Sequence, residues 1–419
     1  MRNLLGSAFT YLAGNIIVAG VPFLLLPIMT RELTPSEFGE VALFQMYLTV
    51  IIALTGLSID GATGRKYFDK GVNELEMNEF IVSAIQLVGL FTIILLILTF
   101  TLGDLIEKLF ELQKKWLYMA ALTAFATIMI RVRLNQWQIR NMPVPYISLQ
   151  AILSFLNFAL SIIMVIIWLR GAAGRIEAQI ASASAIALLA AHSLSKSGLS
   201  WRPIWRPNYI REILKFGVPL IPHVLGTFLI FSFDRLIVTK EMGLAETGKY
   251  MVAVQLSMVV TLIFDGINKA YAPWLYANLS NDEQEQRLSS SQNTYKVFAV
   301  IFVMALVAFL TVPHITKWIV GEEFRGAGES AKFLVSGQMI NGMYQMVSNY
   351  LLFHRLTRTI SLITIATGVI HVLLIILLVP IWGAVGASVT FFATMAVRFF
   401  ITWLIALHLN AMPKYRNYF

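Results

Sequence analysis

The chain has 419 residues, of which 58% are hydrophobic and only 13% are charged, and its mean hydropathy is +0.72. Soluble domains are roughly 45–50% apolar and about 25% charged, so this composition excludes a soluble globular protein. The absence of cysteine excludes disulfides and thiolate chemistry. The net charge of +9 is explained by lysine and arginine in cytoplasmic loops of a membrane protein, and we expect no nucleic-acid partner.

Apolar blocks of about 20 residues, the length that crosses a bilayer as a helix, recur along the chain. The first block is longer than a signal-peptide core and lacks a small-residue cleavage site, so we interpret it as a retained helix. Twelve such spans are predicted, with short connections, at residues 9–29, 39–59, 80–103, 116–137, 146–169, 174–194, 213–236, 248–267, 295–313, 331–352, 360–380 and 384–408. The sequence therefore predicts an all-α polytopic membrane protein.

Charge distribution indicates how these spans are oriented. An even number of spans places both termini on the same side of the membrane. With both termini inside, the inner segments hold nineteen lysines and arginines and the outer segments hold twelve. Because cytoplasmic loops carry an excess of these residues, both termini are predicted to be cytoplasmic.

The chain also repeats itself at an offset of about half its length. Four pairs of segments match in the same order: TRELTPSEFG (30–39) with TKEMGLAETG (239–248), IDG (59–61) with FDG (264–266), YISLQAILSF (146–155) with TISLITIATG (359–368), and GAAG (171–174) with GAVG (383–386). Each pair starts at an equivalent helix of a six-span half, so the two halves have the same orientation.

Parallel repeats of this kind form two six-helix lobes around a central cleft, an architecture that transporters use for alternating access. The repeat predicts an N-terminal lobe at 1–195, a basic cytoplasmic linker at 196–212 and a C-terminal lobe at 213–419. It favours transport but does not identify the cargo.

Longer strings carry a resemblance to a known family. The run LLLPIMTRELTPSEFGEVALF, continuing to GLSIDGATGRKYFD, and the string LKFGVPLIPH followed by SFDRLIV resemble bacterial Wzx-type polysaccharide flippases. The resemblance implies a fold shared with MATE drug exporters and the lipid II flippase. The implied cargo is an undecaprenyl-pyrophosphate-linked oligosaccharide, flipped from the cytoplasmic to the periplasmic leaflet of the inner membrane for O-antigen or capsule synthesis. Membrane lipids, the polysaccharide polymerase and the chain-length regulator are the implied partners.

Arginines inside the spans are the first candidates for binding such an anionic cargo, because ionisable residues in a membrane usually face a cavity or a partner. Arg398 lies inside the last span, and we favour a cavity role over snorkelling or pairing within the bundle. Asp234 either orients Arg235 towards the cleft as a phosphate donor or forms with it a pair that closes a helix end. Arg31 and Arg131 complete this set.

The seventh span combines two prolines with a histidine. Pro219 and Pro222 remove backbone donors and predict a bend, which is a candidate hinge. His223, and His371 in span eleven, either titrate near neutral pH and couple transport to protons or hydrogen-bond to a neighbouring helix. We expect no cofactor other than a coupling ion, either a proton or sodium.

Acid-plus-base pairs recur at equivalent places in the two halves, near the cytoplasmic ends of spans two and eight. Asp60 is followed by Arg65, and Asp265 is followed by Lys269. These residues are candidates for an inner gate. The alternative is inward-facing positive charge with a carboxylate nearby for compensation.

The tenth span is the most polar. Asn341, Gln345, Ser348 and Asn349 fall at positions i, i+4, i+7 and i+8, which form one helical stripe. We interpret the stripe as the lining of a sugar passage, with interhelical hydrogen bonding as the alternative. Span six, with its SASASAIALLAA run, is typical of close helix packing.

Motifs for chemistry are missing from the sequence: there is no Walker A loop, zinc-ligand spacing or nucleophile elbow. We therefore predict no catalytic residue, no metal and no enzyme activity. One rival is a MATE-like drug or cation exporter, whose cleft we expect to be dominated by carboxylates, whereas here arginines match or outnumber them. The other is a membrane scaffold for polysaccharide enzymes, which has no need of the repeat or the buried charges.

Overall fold

The computed structural model describes residues 14, 18, 20–69, 71–201, 205–280 and 284–413, and every regular element assigned there is helical. Helix α1 is described over 20–32. The other helices are α2 (Pro35–Gly56), α3 (Ile59–Tyr67), α4 (Glu74–Phe110), α5 (Lys114–Ile139), α6 (Pro143–Ile162), α7 (Gly171–Lys196), α8 (Pro207–Gly217), α9 (Ile221–Phe231), α10 (Asp234–Ser280), α11 (Gln284–Ile319), α12 (Ala327–Phe353) and α13 (Thr357–His408). The all-α polytopic fold class is confirmed.

Eight helical stretches in the described part of the chain are long and apolar enough to cross a membrane. Two of them are each interrupted by a glycine with non-helical backbone angles, Gly243 in α10 and Gly383 in α13, and each thus supplies two spans. Helix α12, with 27 residues, is long enough to cross a membrane, but it is too polar to be counted among these eight stretches. The eight stretches thus supply ten spans, α12 lies at the position of the tenth predicted span and the described part of α1 overlaps the first, so the helices follow the predicted order.

The helices form two compact units. One comprises Met1–Leu33 and Glu40–Leu225, and the other comprises Thr34–Gly39 and Gly226–Phe419. The core of the first unit includes Met77, Phe80 and Val132, and that of the second includes Val347 and Tyr350. Large apolar side chains remain outside both cores, as in Phe100 at 80% exposure and Leu310 at 70%. In a membrane these side chains meet lipid.

The backbone supports the internal repeat independently of sequence. Gly171 and Gly383 occupy matched positions and have left-handed φ values of 55° and 57°. Three residues further on, an added Cβ at Gly174 or Gly386 would collide with a carbonyl oxygen of the preceding helical segment. Glycine is required at these matched positions because the chain reverses and the backbones approach each other closely.

The first repeat pair meets in the second unit. An added Cβ at Gly39 would overlap the carbonyl oxygen of Leu244, and one at Gly248 would overlap that of Pro35. Since Leu244 and Gly248 follow Pro35 and Gly39 by the same 209 residues, each repeat motif packs its glycine on the backbone of the other. A capping box starts α2, with the Thr34 backbone N–H donating to the Glu37 carboxylate at 2.9 Å.

The predicted seventh span begins inside α8. Residues 213–217 are the last residues of α8, and the helical backbone continues from them through a 3₁₀ turn into α9. Ile213 is fully buried in the core of the first unit, and Gly217 packs on the carbonyl oxygen of Leu57. The hydrophobic run extends across this boundary, so hydropathy alone did not separate α8 from the span.

The glycine contact predicts a large difference between two substitutions in the same helix. Gly248→Ala places a methyl group on the Pro35 carbonyl and should destabilise the protein by about 1–3 kcal/mol, the usual range for overpacking. Gly266→Ala is the matched control, because no atom lies within 4 Å of the added Cβ. Thermal unfolding of the purified protein in detergent measures both. Equal midpoints for the two variants would contradict the contact.

Candidate functional site

A cavity of about 270 Å³ within the first unit brings together two of the predicted site residues, Asp60 and Arg131. Asp60 comes from the first turn of α3 and Arg131 from α5. The rest of the wall is formed by Thr49, Ile52, Ala53, Gly56, Ser58, Ile128 and Val224. The cavity thus offers a guanidinium, a carboxylate and hydroxyl groups on an otherwise apolar wall.

A break between α2 and α3 shapes this cavity. Leu57 and Ser58 have left-handed φ values of 43° and 50°, which non-glycine residues rarely adopt. Such strain persists only where the surroundings enforce it. At this break the Leu57 carbonyl packs on Gly217, where an added Cβ would overlap it. The break redirects the chain so that Asp60 enters α3 at its N-terminus, where the helix dipole favours a carboxylate.

The predicted hinge prolines lie where the helical run from α8 to α9 tightens into a 3₁₀ turn. Pro219 is in the 3₁₀ turn Val218–Leu220, and Pro222 is the second residue of α9. Val224, two residues beyond Pro222, lines the cavity. The side chain of His223 lies outside the described residues. The backbone angles stay helical at Gly217, Val218 and Ile221, so one helical run tightens here into a 3₁₀ turn, and the bend at the prolines stays a prediction.

Asp234 and Arg235 form a buried group in the second unit, at 3% and 5% exposure. The Asp234 carboxylate accepts hydrogen bonds from the Arg235 backbone N–H at 2.9 Å and from the Tyr250 hydroxyl. The Arg235 guanidinium donates to the Phe231 carbonyl at 3.0 Å and lies 3.9 Å from the Asp234 carboxylate. This geometry fits the helix-closing alternative, and cargo contact by Arg235 stays a prediction that requires its guanidinium to move.

Arg398 is a buried cation at 7% exposure. Its guanidinium lies 3.9 Å from the centre of the Tyr344 ring and donates from Nη2 to the Tyr344 hydroxyl at 2.9 Å and to the Thr364 hydroxyl at 3.1 Å. Its Nε is buried without a hydrogen-bond partner, and no ion pair found among the described residues includes it. The site therefore stabilises the charge by hydroxyl and aromatic contacts and leaves one donor free.

His371 is fully buried close to this group. Its Nδ1 lies 3.0 Å from the Thr394 hydroxyl, and its Nε2 has no hydrogen-bond partner. The contact joins the two halves of α13 across the kink at Gly383, which is the interhelical alternative considered for this histidine. Its role in ion coupling stays a prediction.

The amide stripe of α12 points largely into the second unit. The Asn349 side-chain nitrogen lies 2.6 Å from the Asn268 oxygen, and that of Gln345 lies 3.3 Å from the Asp265 carboxylate. Asn341 is buried at 6% exposure and donates to Gln338 at 3.3 Å. In this structure the stripe connects α12 to α10. The lining of a sugar passage stays a prediction.

Four of the predicted residues are exposed: Arg31, Arg65, Asp265 and Lys269. Arg31 donates to the Pro27 carbonyl at 2.7 Å, within α1. Arg65 lies five residues after Asp60 on α3, and Lys269 lies four residues after Asp265 on α10. The two acid-plus-base pairs belong to different units, so the gate itself stays a prediction.

One polar cluster of the first unit was missed by sequence reasoning. Arg175, near the start of α7, donates to the Asn157 side chain at 3.1 Å, and Asn157 donates to Ser182 at 3.2 Å. Gln45 of α2 donates to Gln179 at 3.3 Å, one turn along α7. The sequence did show amide side chains inside predicted spans five and six. The run of small residues in span six, however, indicated helix packing and not a polar cluster.

Comparison with known proteins identifies the family of this chain. The model of the family described as "Polysaccharide biosynthesis protein" matches residues 4–279, about two thirds of the chain. The chain belongs to this family. An "Uncharacterized membrane protein" of Haemophilus influenzae is 23% identical over 376 residues, which cover 88% of this chain and 89% of that protein. The family expected from the sequence motifs is thereby confirmed.

Two solved structures have the same fold as this chain. "Lipid II flippase MurJ, inward closed conformation" has a TM-score of 0.76 at 12% identity, covering 96% of this chain and 88% of that one. An inward-facing multidrug resistance MATE transporter has a TM-score of 0.70 at 15% identity, covering 97% and 96%. At these identities the likeness establishes the fold alone, and the fold is the one that the resemblance implied.

Proposed function

We propose that this protein is a flippase that moves an undecaprenyl-pyrophosphate-linked oligosaccharide from the cytoplasmic to the periplasmic leaflet of the bacterial inner membrane. The observation that carries the proposal is membership of the polysaccharide biosynthesis family over residues 4–279. The glycan produced is O-antigen or capsule, and both termini are cytoplasmic. The cargo comes from the enzymes that assemble the lipid-linked unit and passes to the polymerase and its chain-length regulator.

The chemistry of the cargo fits the charged groups described above. A pyrophosphate needs positive charge and several donors, and the planar guanidinium presents two parallel N–H groups to phosphate oxygens. Arg131 supplies such a group on the cavity of the first unit. Arg398 supplies another in the second unit, with its Nε free of any partner. These two arginines are our principal candidates for phosphate contact.

Movement by alternating access requires elements that change conformation without unfolding. The break at Leu57–Ser58 and the 3₁₀ turn at Val218–Leu220 lie beside the cavity and are candidate hinges. Asp60, Arg65, Asp265 and Lys269 are the proposed inner gate. No covalent bond changes in this process, so the protein needs binding groups and hinges rather than a catalytic residue.

A drug or cation exporter on the same fold is the competing function. Such a protein binds cationic cargo, for which a buried carboxylate with a free oxygen is the matching group. In the second unit the carboxylate of Asp234 is fully engaged by Tyr250 and by its own neighbour, whereas Arg398 is a cation without an ion pair in the described part of the chain. This charge balance favours an anionic cargo.

Deletion of the gene tests the proposed function in the cell. We expect long surface polysaccharide to disappear while the lipid-linked unit accumulates in the inner leaflet, because synthesis continues without translocation. Electrophoresis of surface glycan and extraction of lipid-linked oligosaccharide measure the two effects. Re-expression of the wild-type chain is the control. Normal surface glycan in a deletion strain without a second flippase would overturn the proposal.

Arg398 provides a test at the level of one side chain. Arg398→Ala should lower surface glycan at least about tenfold at normal protein level, because a hydrogen bond to a charged group contributes about 1.5–3 kcal/mol. Arg398→Lys should restore part of it, since charge is kept but the planar fork is lost.

Tyr344→Phe is the matched control for Arg398. It removes the hydroxyl that Nη2 contacts but keeps both the charge and the stacked ring, so we expect most of the glycan to remain. Full glycan with Arg398→Ala, at normal protein level, would remove Arg398 from the cargo path. A similar loss of folded protein in both variants would make the arginine structural.

A further inference from the structure

A second cavity lies outside the region used above. It is an open groove of about 500 Å³ beside α8, and its described wall comes wholly from residues 205–215. Four side chains make the wall apolar and two add positive charge: Trp205, Pro207, Ile210, Leu214, Arg211 and Lys215. A groove with a hydrocarbon wall and cations beside it matches a molecule with an apolar tail and an anionic head.

Position along the chain places α8 at a membrane surface. It continues through a 3₁₀ turn into α9, which belongs to the seventh span, so α8 lies at one end of that span. One stripe of α8, with Ile213 at its centre, is buried in the first unit. The adjacent stripe carries Arg211 and Lys215, both exposed. Helices with a buried apolar stripe and a basic face typically lie in the interface between water and lipid.

The two cations of the groove are available, unlike other basic residues nearby. Arg206 pairs with Glu79 at 3.1 Å, and Lys66 pairs with Glu212 at 2.9 Å. Among the ion pairs of the described residues none includes Arg211 or Lys215. The carboxylates on and around α8 are therefore engaged elsewhere, and the groove retains a net positive charge.

Trp205 adds an interfacial anchor at the rim. Its side chain is 55% exposed although it is large and apolar. Tryptophan concentrates at the level of lipid headgroups, where its ring is partly in hydrocarbon and partly in water. A lipid in the neighbouring groove would cover the exposed indole ring of Trp205.

We propose that this groove binds an anionic phospholipid of the surrounding bilayer, with its phosphate at Arg211 and Lys215 and an acyl chain along Trp205, Ile210 and Leu214. The proposal does not depend on the cargo of the protein. It gives α8 a role as a lipid-anchored clamp, because Gly217 at the end of α8 holds the strained Leu57 that shapes the cavity of the first unit.

The test uses the purified full-length protein and phosphatidylglycerol, with phosphatidylcholine as the neutral reference lipid. Native mass spectrometry in detergent, with each lipid titrated, gives the two affinities. The wild-type protein should prefer phosphatidylglycerol, and the preference should fall with added salt. Arg211→Gln with Lys215→Gln should weaken phosphatidylglycerol binding roughly 5- to 30-fold, as expected for about 1 kcal/mol per basic residue, and leave phosphatidylcholine unchanged.

Two further variants separate the charge effect from the wall of the groove. Arg355→Gln with Arg358→Gln removes two exposed arginines outside the groove and should leave the lipid preference intact. Trp205→Ala should weaken both lipids by a similar factor, since it removes only apolar wall. Trp205→Ala also tests the groove if the variant with Arg211→Gln and Lys215→Gln fails to fold.

The proposal is overturned by any of three results. The first would be a wild-type protein with no preference for phosphatidylglycerol. The second would be a control variant, Arg355→Gln with Arg358→Gln, that loses as much affinity for phosphatidylglycerol as the groove variant. The third is displacement of phosphatidylglycerol by an equimolar polyprenyl phosphate, which would assign the groove to the cargo rather than to bulk lipid.

Discussion

The bilayer core contains no water to bond to the backbone, and this constraint decides the structure. Each N–H and C=O group must find its partner inside the chain, which in a membrane leaves helices as the solution for a sequence of this kind. The chain nevertheless has to reverse and break, and at two matched places it does so with glycine. Gly171 and Gly383 reverse the chain at matched places, and Gly243 interrupts α10. The two halves of the molecule therefore match most clearly at positions where the backbone geometry requires glycine.

The same lack of water governs the charges. A carboxylate or guanidinium in the membrane is stable only when other groups replace its hydration. Asp234 receives a hydroxyl and a backbone N–H, and Arg398 receives two hydroxyls and an aromatic ring. These arrangements differ in one respect that bears on function. The Asp234 carboxylate is engaged at both oxygens, whereas Arg398 keeps a buried Nε without a partner. The proposed preference for an anionic cargo thus rests on how each charge is solvated and not on the number of charges.

Sequence reasoning predicted the spans, the repeat and the family, because these depend on hydropathy over long windows and on motifs of adjacent residues. It did not separate α8 from the seventh span, since the apolar residues at the end of α8 continue into those of α9 and only the burial of Ile213 in the first unit distinguishes them. The partners Tyr250, Tyr344 and Thr364 lie 16 to 54 residues from the charges they contact. Nothing local marks such residues, and only the tertiary fold brings them to the charge. Asn157 and Gln179 were visible as in-span amides, but their pairing with Arg175 and Gln45 was not.

The most direct test of the account is transport by the purified protein in liposomes. A labelled oligosaccharide on a polyprenyl pyrophosphate is placed in both leaflets, and a glycosidase added outside reports which molecules reach the outer leaflet. The account predicts that the protein accelerates exchange of the pyrophosphate-linked glycan far above protein-free liposomes and does not expel a cationic dye. A protein that exports the dye in response to an ion gradient, and leaves the glycan exchange at its background rate, would contradict the account.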